Sequence, residues 1–240
     1  VSCYSHFGDT TPAAATKPLS DCRLYAFVDT SCLRGRAPER LARELCEGGA
    51  DLIQLRAKLS SLEEVRRMAQ AILPVTRQSG VGLVINDHLS IAREVGADAC
   101  HLGQEDFFGA GLQRAASLRS ASSTLRLGLS THGPEQAKRA LAAGADYLGI
   151  GPVYATGTKP QAAPVTLEYV RWAAANVAIP WFAIGGITLD NLDAVLAAGA
   201  RRICAVSAIL NAPDVATACR QFKERLLAAA GADASHASGH

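Results

Sequence analysis

The sequence predicts a single-domain α/β fold, a (β/α)8 TIM barrel, and three observations carry that prediction. Short apolar runs alternate with longer helical patterns eight times between residues 23 and 229. The runs are apolar on both faces, which suits a parallel sheet covered by helices. The passage from helix to strand also repeats itself, as Gly48-Gly-Ala-Asp51, Val95-Gly-Ala-Asp98, Ala143-Gly-Ala-Asp146 and Ala198-Gly-Ala200. Eight strand–helix units close a barrel, and 240 residues is the usual length of one. An open doubly wound sheet is the alternative, but no G-x-G-x-x-G follows the first strand.

Taken in order, residues 1–20 are small, polar and proline-containing without periodicity, and read as a poorly ordered extension. The barrel domain is expected over 21–230. Its strands are expected at 23–28, 52–56, 82–85, 97–102, 125–130, 147–150, 181–184 and 203–206. Helices are expected at 38–48, 61–79, 88–96, 111–120, 133–143, 166–177, 188–198 and 213–229. Ser61 with Glu64 three residues on is a capping box, and Thr188 ahead of Asp190 and Asn191 marks another helix start. Gly80, Gly96, Gly144 and Gly199 close helices. The last ten residues, from Gly231, read as a flexible tail in which His236 and His240 are not metal ligands.

Composition narrows the function. A formal net charge of +2 gives no electrostatic case for nucleic acid or an anionic membrane. The most apolar run, 173–187, contains Asn176 and Pro180 and is too short to span a bilayer. No basic region followed by an apolar core opens the chain, so no secretory signal is expected. Seven scattered cysteines without a C-x-x-C pair favour reduced thiols and a cytoplasmic protein. The sequence leaves homo-oligomer formation open.

Such barrels do their chemistry at the carboxyl ends of the strands. Those ends are polar here. Strand 2 ends in Gln54, Arg56 and Lys58, strand 3 in Asn86 and Asp87, and strand 4 leads through His101 and Gln104 to Asp106. Strand 5 ends in Ser130, strand 7 in Gly185-Gly186 and strand 8 in Val206-Ser207. Strand 6 runs into Gly149-Ile-Gly-Pro-Val-Tyr-Ala-Thr156-Gly-Thr158-Lys159, where glycines and hydroxyls offer donors and a lysine offers charge to a phosphate. Singly, each has a plainer reading. Asp87 by itself reads as a helix N-cap, Arg56 and Lys58 as solvated charges, and His101 as a hydrogen-bonded interior histidine. Together on one rim they form a coherent set. Three cations suit an anion with more charge than one phosphate. Two carboxylates without His or Cys favour a hard cation such as Mg²⁺. An acid/base carboxylate pair for glycoside hydrolysis would leave the cations unexplained. The loops after strands 7 and 8 are the common phosphate site of this fold. Two anionic subsites are therefore expected, one with metal.

These residues also resemble a known family. Gln54-Leu-Arg-Ala-Lys58, Ile85-Asn-Asp87, His101-Leu-Gly-Gln-Glu-Asp106, Gly128-Leu-Ser-Thr131, the Gly149–Lys159 loop, Ile184-Gly-Gly-Ile187 and Val206-Ser-Ala-Ile209 are similar, in order, to the motifs of the thiamine-phosphate synthases. The resemblance covers about residues 23–227. It implies condensation of a hydroxymethylpyrimidine diphosphate with a thiazole phosphate, giving thiamine phosphate and pyrophosphate through a dissociative, carbocation-type displacement. It assigns Gln54, Arg56, Lys58, Asn86, Ser130 and Lys159 to the pyrimidine diphosphate, with Arg56, Lys58, Ser130 and Lys159 serving catalysis. Asp87 and Asp106 fall to Mg²⁺, and Thr156, Thr158, Gly186, Val206 and Ser207 to the thiazole phosphate. Ala57 stands where the family commonly has an acidic residue and Ala155 where proline is frequent. Two rivals remain: a thiazole tautomerase of the same fold using His132, which has no need of Arg56, Lys58, Asp87 and Asp106 together, and a non-catalytic phospho-ligand-binding barrel.

Overall fold

A computed structural model of the chain describes residues 14–118, 124–155 and 164–237, with side chains as far as residue 231. Eight parallel strands close into a barrel in sequence order. They are β1 (Leu24–Asp29), β2 (Leu52–Arg56), β3 (Gly82–Asn86), β4 (Ala99–Leu102), β5 (Arg126–Thr131), β6 (Tyr147–Ile150), β7 (Trp181–Ile184) and β8 (Ile203–Cys204). β8 closes on β1 through Leu24 opposite Ile203 and Tyr25 opposite Cys204. Around them lie α1 (Pro38–Glu47), α2 (Leu62–Gln78), α3 (Leu89–Val95), α4 (Pro134–Ala142), α5 (Thr166–Asn176), α6 (Leu192–Ala197), α7 (Ser207–Leu210) and α8 (Val215–Ala237). Among the described residues, no helix is long and apolar enough to cross a membrane.

Local sequence explains the starts and stops. Pro38 opens α1 at a position where a missing N–H costs nothing, and Leu41, Ala42 and Leu45 form its buried stripe. Ser61 and Glu64 make both bonds of the capping box, at 3.3 and 2.8 Å. Asn191 holds the N-cap position of α6 without a side-chain cap bond, and its Oδ1 instead accepts from Thr188 N in the preceding loop at 2.9 Å. The repeated aspartates have a structural use. Each stands just ahead of a strand and accepts backbone N–H groups near the start of the preceding one. Asp51 takes Arg23 and Leu24, Asp98 takes Leu83, and Asp146 takes Leu127, at 2.6 to 3.0 Å. The repeat tethers neighbouring strands at the amino-terminal face, away from the rim that carries the polar loops.

Four expectations are corrected. Residues 14–20 are not loose. Leu19 is buried, Lys17 pairs with Asp51 at 2.6 Å, and Thr16 donates to Asp98 at 3.1 Å. The two aspartates keep oxygen atoms for them after serving the strands, a tertiary use that local composition does not reveal. At the other end α8 runs on to Ala237, past the expected tail boundary at 231. Its alanines are strong helix formers, and one Gly costs only about 1 kcal/mol. In place of the helix expected at 111–120, the described residues there hold a single 3-10 turn, Ala115–Leu118, and a π-type turn, Glu105–Gly109, precedes it. Gly109 and Gly111 interrupt the helical run, the latter at φ +78°. β8 is two residues long because the chain turns at Val206 into α7.

Candidate active site

The polar strand ends converge on one cavity in the mouth of the barrel. Gln54, Arg56, Asn86, His101, Ser130, Gly186, Val206 and Ser207 all line it. Its floor is aromatic. Tyr25, Tyr147 and Phe182 meet edge to face with centroids 5.3 to 6.1 Å apart.

Arg56 ends β2 and is anchored by a residue the sequence reading passed over. Asp29, the last residue of β1, is 1% exposed and accepts from Arg56 Nη1 at 2.7 Å. Its other oxygen takes Ser31 N and Ser31 Oγ at 3.0 and 2.6 Å. The rule that found the other residues, reading the polar group after each apolar run, would have found Asp29 had it been applied to strand 1.

Lys58 lies two residues past β2 and donates from Nζ to Asp87 Oδ2 at 2.5 Å. Asn86 Nδ2 donates to the same oxygen at 2.6 Å. Asp87 does not cap α3. The cap position belongs to His88, which makes no side-chain cap bond. Asp87 instead sits at φ +64°, with its N–H on the His101 carbonyl at 2.9 Å. That conformation is uncommon for a side-chain-bearing residue, though Asp tolerates it better than most. The backbone is therefore spent on aiming this carboxylate. Asp106 lies on the π-type turn, exposed, with Oδ2 accepting Gly103 N at 3.2 Å. Lys58, Asn86 and Asp87 thus form one cluster at the rim. Among the described residues no group of three or more His, Cys, Asp or Glu side chains is placed to hold a metal. The metal reading rests on two carboxylates.

On the far side of the cavity, Gly185 and Gly186 turn at φ +104° and +63°. A Cβ on Gly185 would lie 2.4 Å from Pro152 Cβ, and one on Gly186 2.7 Å from the Ala155 carbonyl. Only glycine lets the end of β7 pass this close to the loop after β6. Thr156, Thr158 and Lys159, further along that loop, lie outside the described residues. His132 also lines the cavity. Its Nδ1 donates to the Gly151 carbonyl, so Nδ1 carries the ring proton.

His101 is an interior histidine, as expected, and it faces the site as well: Nε2 meets Ser130 Oγ at 2.9 Å and Nδ1 meets Tyr147 OH at 3.2 Å. Gln104 Nε2 holds the Ser130 carbonyl at 2.6 Å. Burial pushes the Cys204 thiol well up, so this cysteine, the one lining the cavity among the described residues, stays a thiol at neutral pH and is no nucleophile.

Comparison with known proteins decides the family. A sequence model described as thiamine monophosphate synthase matches residues 24–209. A thiamine-phosphate synthase from Thermus thermophilus is 46% identical over 189 residues, 78% of this chain and 88% of that protein. The chain belongs to the thiamine-phosphate synthase family. A further member, from Halalkalibacterium halodurans, is 39% identical over 205 residues, 85% of this chain and 95% of its own. Among solved structures, the thiamine phosphate pyrophosphorylase from Pyrococcus furiosus is 30% identical, with a TM-score of 0.76 over 87% of this chain and 96% of that one. The family places the chain in thiamine biosynthesis as a synthase acting on small molecules. It disfavours both rival readings, the tautomerase and the non-catalytic barrel.

Proposed function

We propose that the cavity joins the hydroxymethylpyrimidine diphosphate to the thiazole phosphate as a transferase, by a displacement in which pyrophosphate leaves before the thiazole nitrogen attacks. The observation that carries this is the division of the rim. Two cations, Arg56 and Lys58, stand with Asn86 and Asp87 on one side, and the Gly186, Val206 and Ser207 backbone lies in the same cavity on the other. Arg56, held from behind by buried Asp29, offers its remaining N–H groups to the departing diphosphate without having to be ordered first. Lys58 adds charge from the exposed edge, and Lys159 is assigned to the same diphosphate. Gln54, Asn86 and Ser130 orient the pyrimidine, while Thr156, Thr158, Gly186, Val206 and Ser207 receive the thiazole phosphate. The aromatic floor excludes water from the carbon that loses its leaving group.

Asp87 and Asp106 would hold Mg²⁺. Two carboxylates from neighbouring strand ends, with Asp106 open to solvent, suit a hard ion that keeps several waters. When bound, the ion supplies charge neutralisation of the diphosphate. A cytoplasmic location fits reduced cysteines.

The test is direct. Thiamine phosphate should form when the protein is given both substrates with Mg²⁺, and absence of product above background would overturn the proposal. Asp87→Ala should cut kcat by at least about a hundredfold, roughly 2.7 kcal/mol of transition-state stabilisation, with folding intact by circular dichroism.

A further inference from the structure

Five side chains on the cavity floor form an unbroken series of hydrogen bonds across the barrel. Gln54 Nε2 donates to Tyr25 OH at 2.5 Å, and Tyr25 OH meets Tyr147 OH at 3.2 Å. Tyr147 OH meets His101 Nδ1 at 3.2 Å, and His101 Nε2 meets Ser130 Oγ at 2.9 Å. Two glycines clear the space for its rings. A Cβ on Gly128 would lie 2.0 Å from Tyr147 Cζ, and one on Gly149 3.3 Å from His101 Cε1. Gly128 stands on β5, where any side chain would drive into the Tyr147 ring, and Gly149 on β6, where one would crowd His101.

Counting hydrogens sets its direction. Each of the four bonds needs one. Each tyrosine has a single hydroxyl hydrogen to give and a neutral imidazole a single N–H. Burial pushes both phenols well above their usual range, so both keep that hydrogen. With the Gln54 amide nitrogen on Tyr25, Tyr25 gives its hydrogen to Tyr147, and Tyr147 gives its own to His101 Nδ1. A His101 that accepts at Nδ1 carries its hydrogen on Nε2 and donates to Ser130. Two groups are left for the cavity with defined roles: the Gln54 carbonyl as an acceptor and the Ser130 hydroxyl as a donor. A mixed sense would leave one buried phenol hydrogen without an acceptor, which is costly, so turning one bond around turns the others with it. Gln54 would then offer only N–H groups and Ser130 only lone pairs.

We propose that Tyr25, Tyr147 and His101 are positioning residues that lock the hydrogen-bonding sense of Gln54 and Ser130 together, so that the site presents an acceptor to a ring amino group and a donor to the leaving anion at once. This rests on the assignment of Gln54 and Ser130 to the pyrimidine diphosphate. A substrate that carries an amino group at one end and an anion at the other matches both ends of the series in a single sense. An analogue with a ring carbonyl in place of the amino group fits only the reversed sense, in which the donor to the anion is lost.

Double-mutant cycles in steady-state kinetics test this. The Tyr147 hydroxyl bonds Tyr25 and His101 and is hydrogen-bonded to neither Gln54 nor Ser130, so independent effects would multiply. Tyr147→Phe should lower kcat/KM for the pyrimidine diphosphate about tenfold, with KM for the thiazole phosphate unchanged. Most of that loss should vanish when Tyr147→Phe is made in a Ser130→Ala or a Gln54→Ala background. Multiplying losses in both backgrounds, or a wild-type Tyr147→Phe enzyme, would overturn the proposal. Tyr169→Phe controls for loss of a buried phenol, since Tyr169 donates to Thr131 at 2.7 Å outside the series. It should keep the wild-type kcat, and an equal loss there would equally refute the series. Full activity in both Ser130→Ala and Gln54→Ala would instead refute the assignment of the site itself.

Discussion

Asp29 accepts hydrogen bonds from Arg56 and Ser31 while almost wholly buried, and so does two jobs with one carboxylate. It ends β1 by turning the chain at Ser31, and it fixes a guanidinium whose side chain is only 14% exposed. A buried pair is most costly when one partner is removed, because the other charge stays behind unpaired. Asp29→Ala should therefore cost about 3 kcal/mol in urea unfolding. It should also lower kcat/KM for the pyrimidine diphosphate by at least about tenfold while leaving KM for the thiazole phosphate alone. Equal effects on both substrates would mean that Asp29 serves the barrel rather than Arg56. The same scale shows how far residue types can be read alone. Asp87 looks like a helix cap in the sequence, and only its φ of +64° and its bonds to Lys58 and Asn86 remove that reading.

At the scale of elements, the barrel is tied at its amino-terminal face by aspartates. Asp51 is the most heavily used. Its side chain has no exposure and receives Lys17, Lys223 and the N–H groups of Arg23 and Leu24. Burial alone would push this carboxyl up, but the hydrogen bonds from Lys17, Lys223 and the backbone outweigh it and hold the group below the usual carboxylate range. A carboxyl lowered in the folded state contributes stability that is fully present above its unfolded value, near 4, and is lost as pH falls through the lowered one. Asp51→Asn should thus cost about 3 to 5 kcal/mol at pH 7, since two ammonium groups lose their partner. The difference from wild type should shrink as unfolding is measured at successively lower pH below 4. A pH-independent difference would show that shape, not charge, holds β1, β2, α8 and the N-terminal segment together. The Gly-Ala-Asp repeat was legible as a helix-to-strand marker. Which backbone each aspartate caps was not, because the acceptor and its donors lie on different strands.

For the whole molecule, the site is assembled from the ends of strands that are neighbours all round a closed sheet. Ligand binding should therefore be felt by the entire barrel rather than by one loop. Pyrophosphate with Mg²⁺ at a hundred times its dissociation constant should stabilise the fold by about 2.7 kcal/mol. For a domain of this size that corresponds to a rise in Tm of about 5 to 10 °C. Pyrophosphate without Mg²⁺ should give a clearly smaller rise, and equal rises would remove the metal from the site.

Much of this protein was written in local sequence. The alternation of apolar runs and helical stripes determined eight strands and their order, because the period of burial is set by each element on its own. Reading the strand ends gave Gln54, Arg56, Asn86, Ser130 and Gly186, all of which reach one cavity. Tertiary structure decided the rest, because those outcomes depend on partners distant in the chain. It docked residues 14–20 through Asp51 and Asp98, carried α8 beyond 231, and left a single 3-10 turn where a helix was expected after β4. It placed Asp29 behind Arg56 and linked Gln54 to Ser130 through three aromatic rings. A strand shows in sequence which side chains it will bury. The hydrogen each of them gives or takes is settled only when the barrel closes and puts β1 beside β2, and the floor of one strand against another.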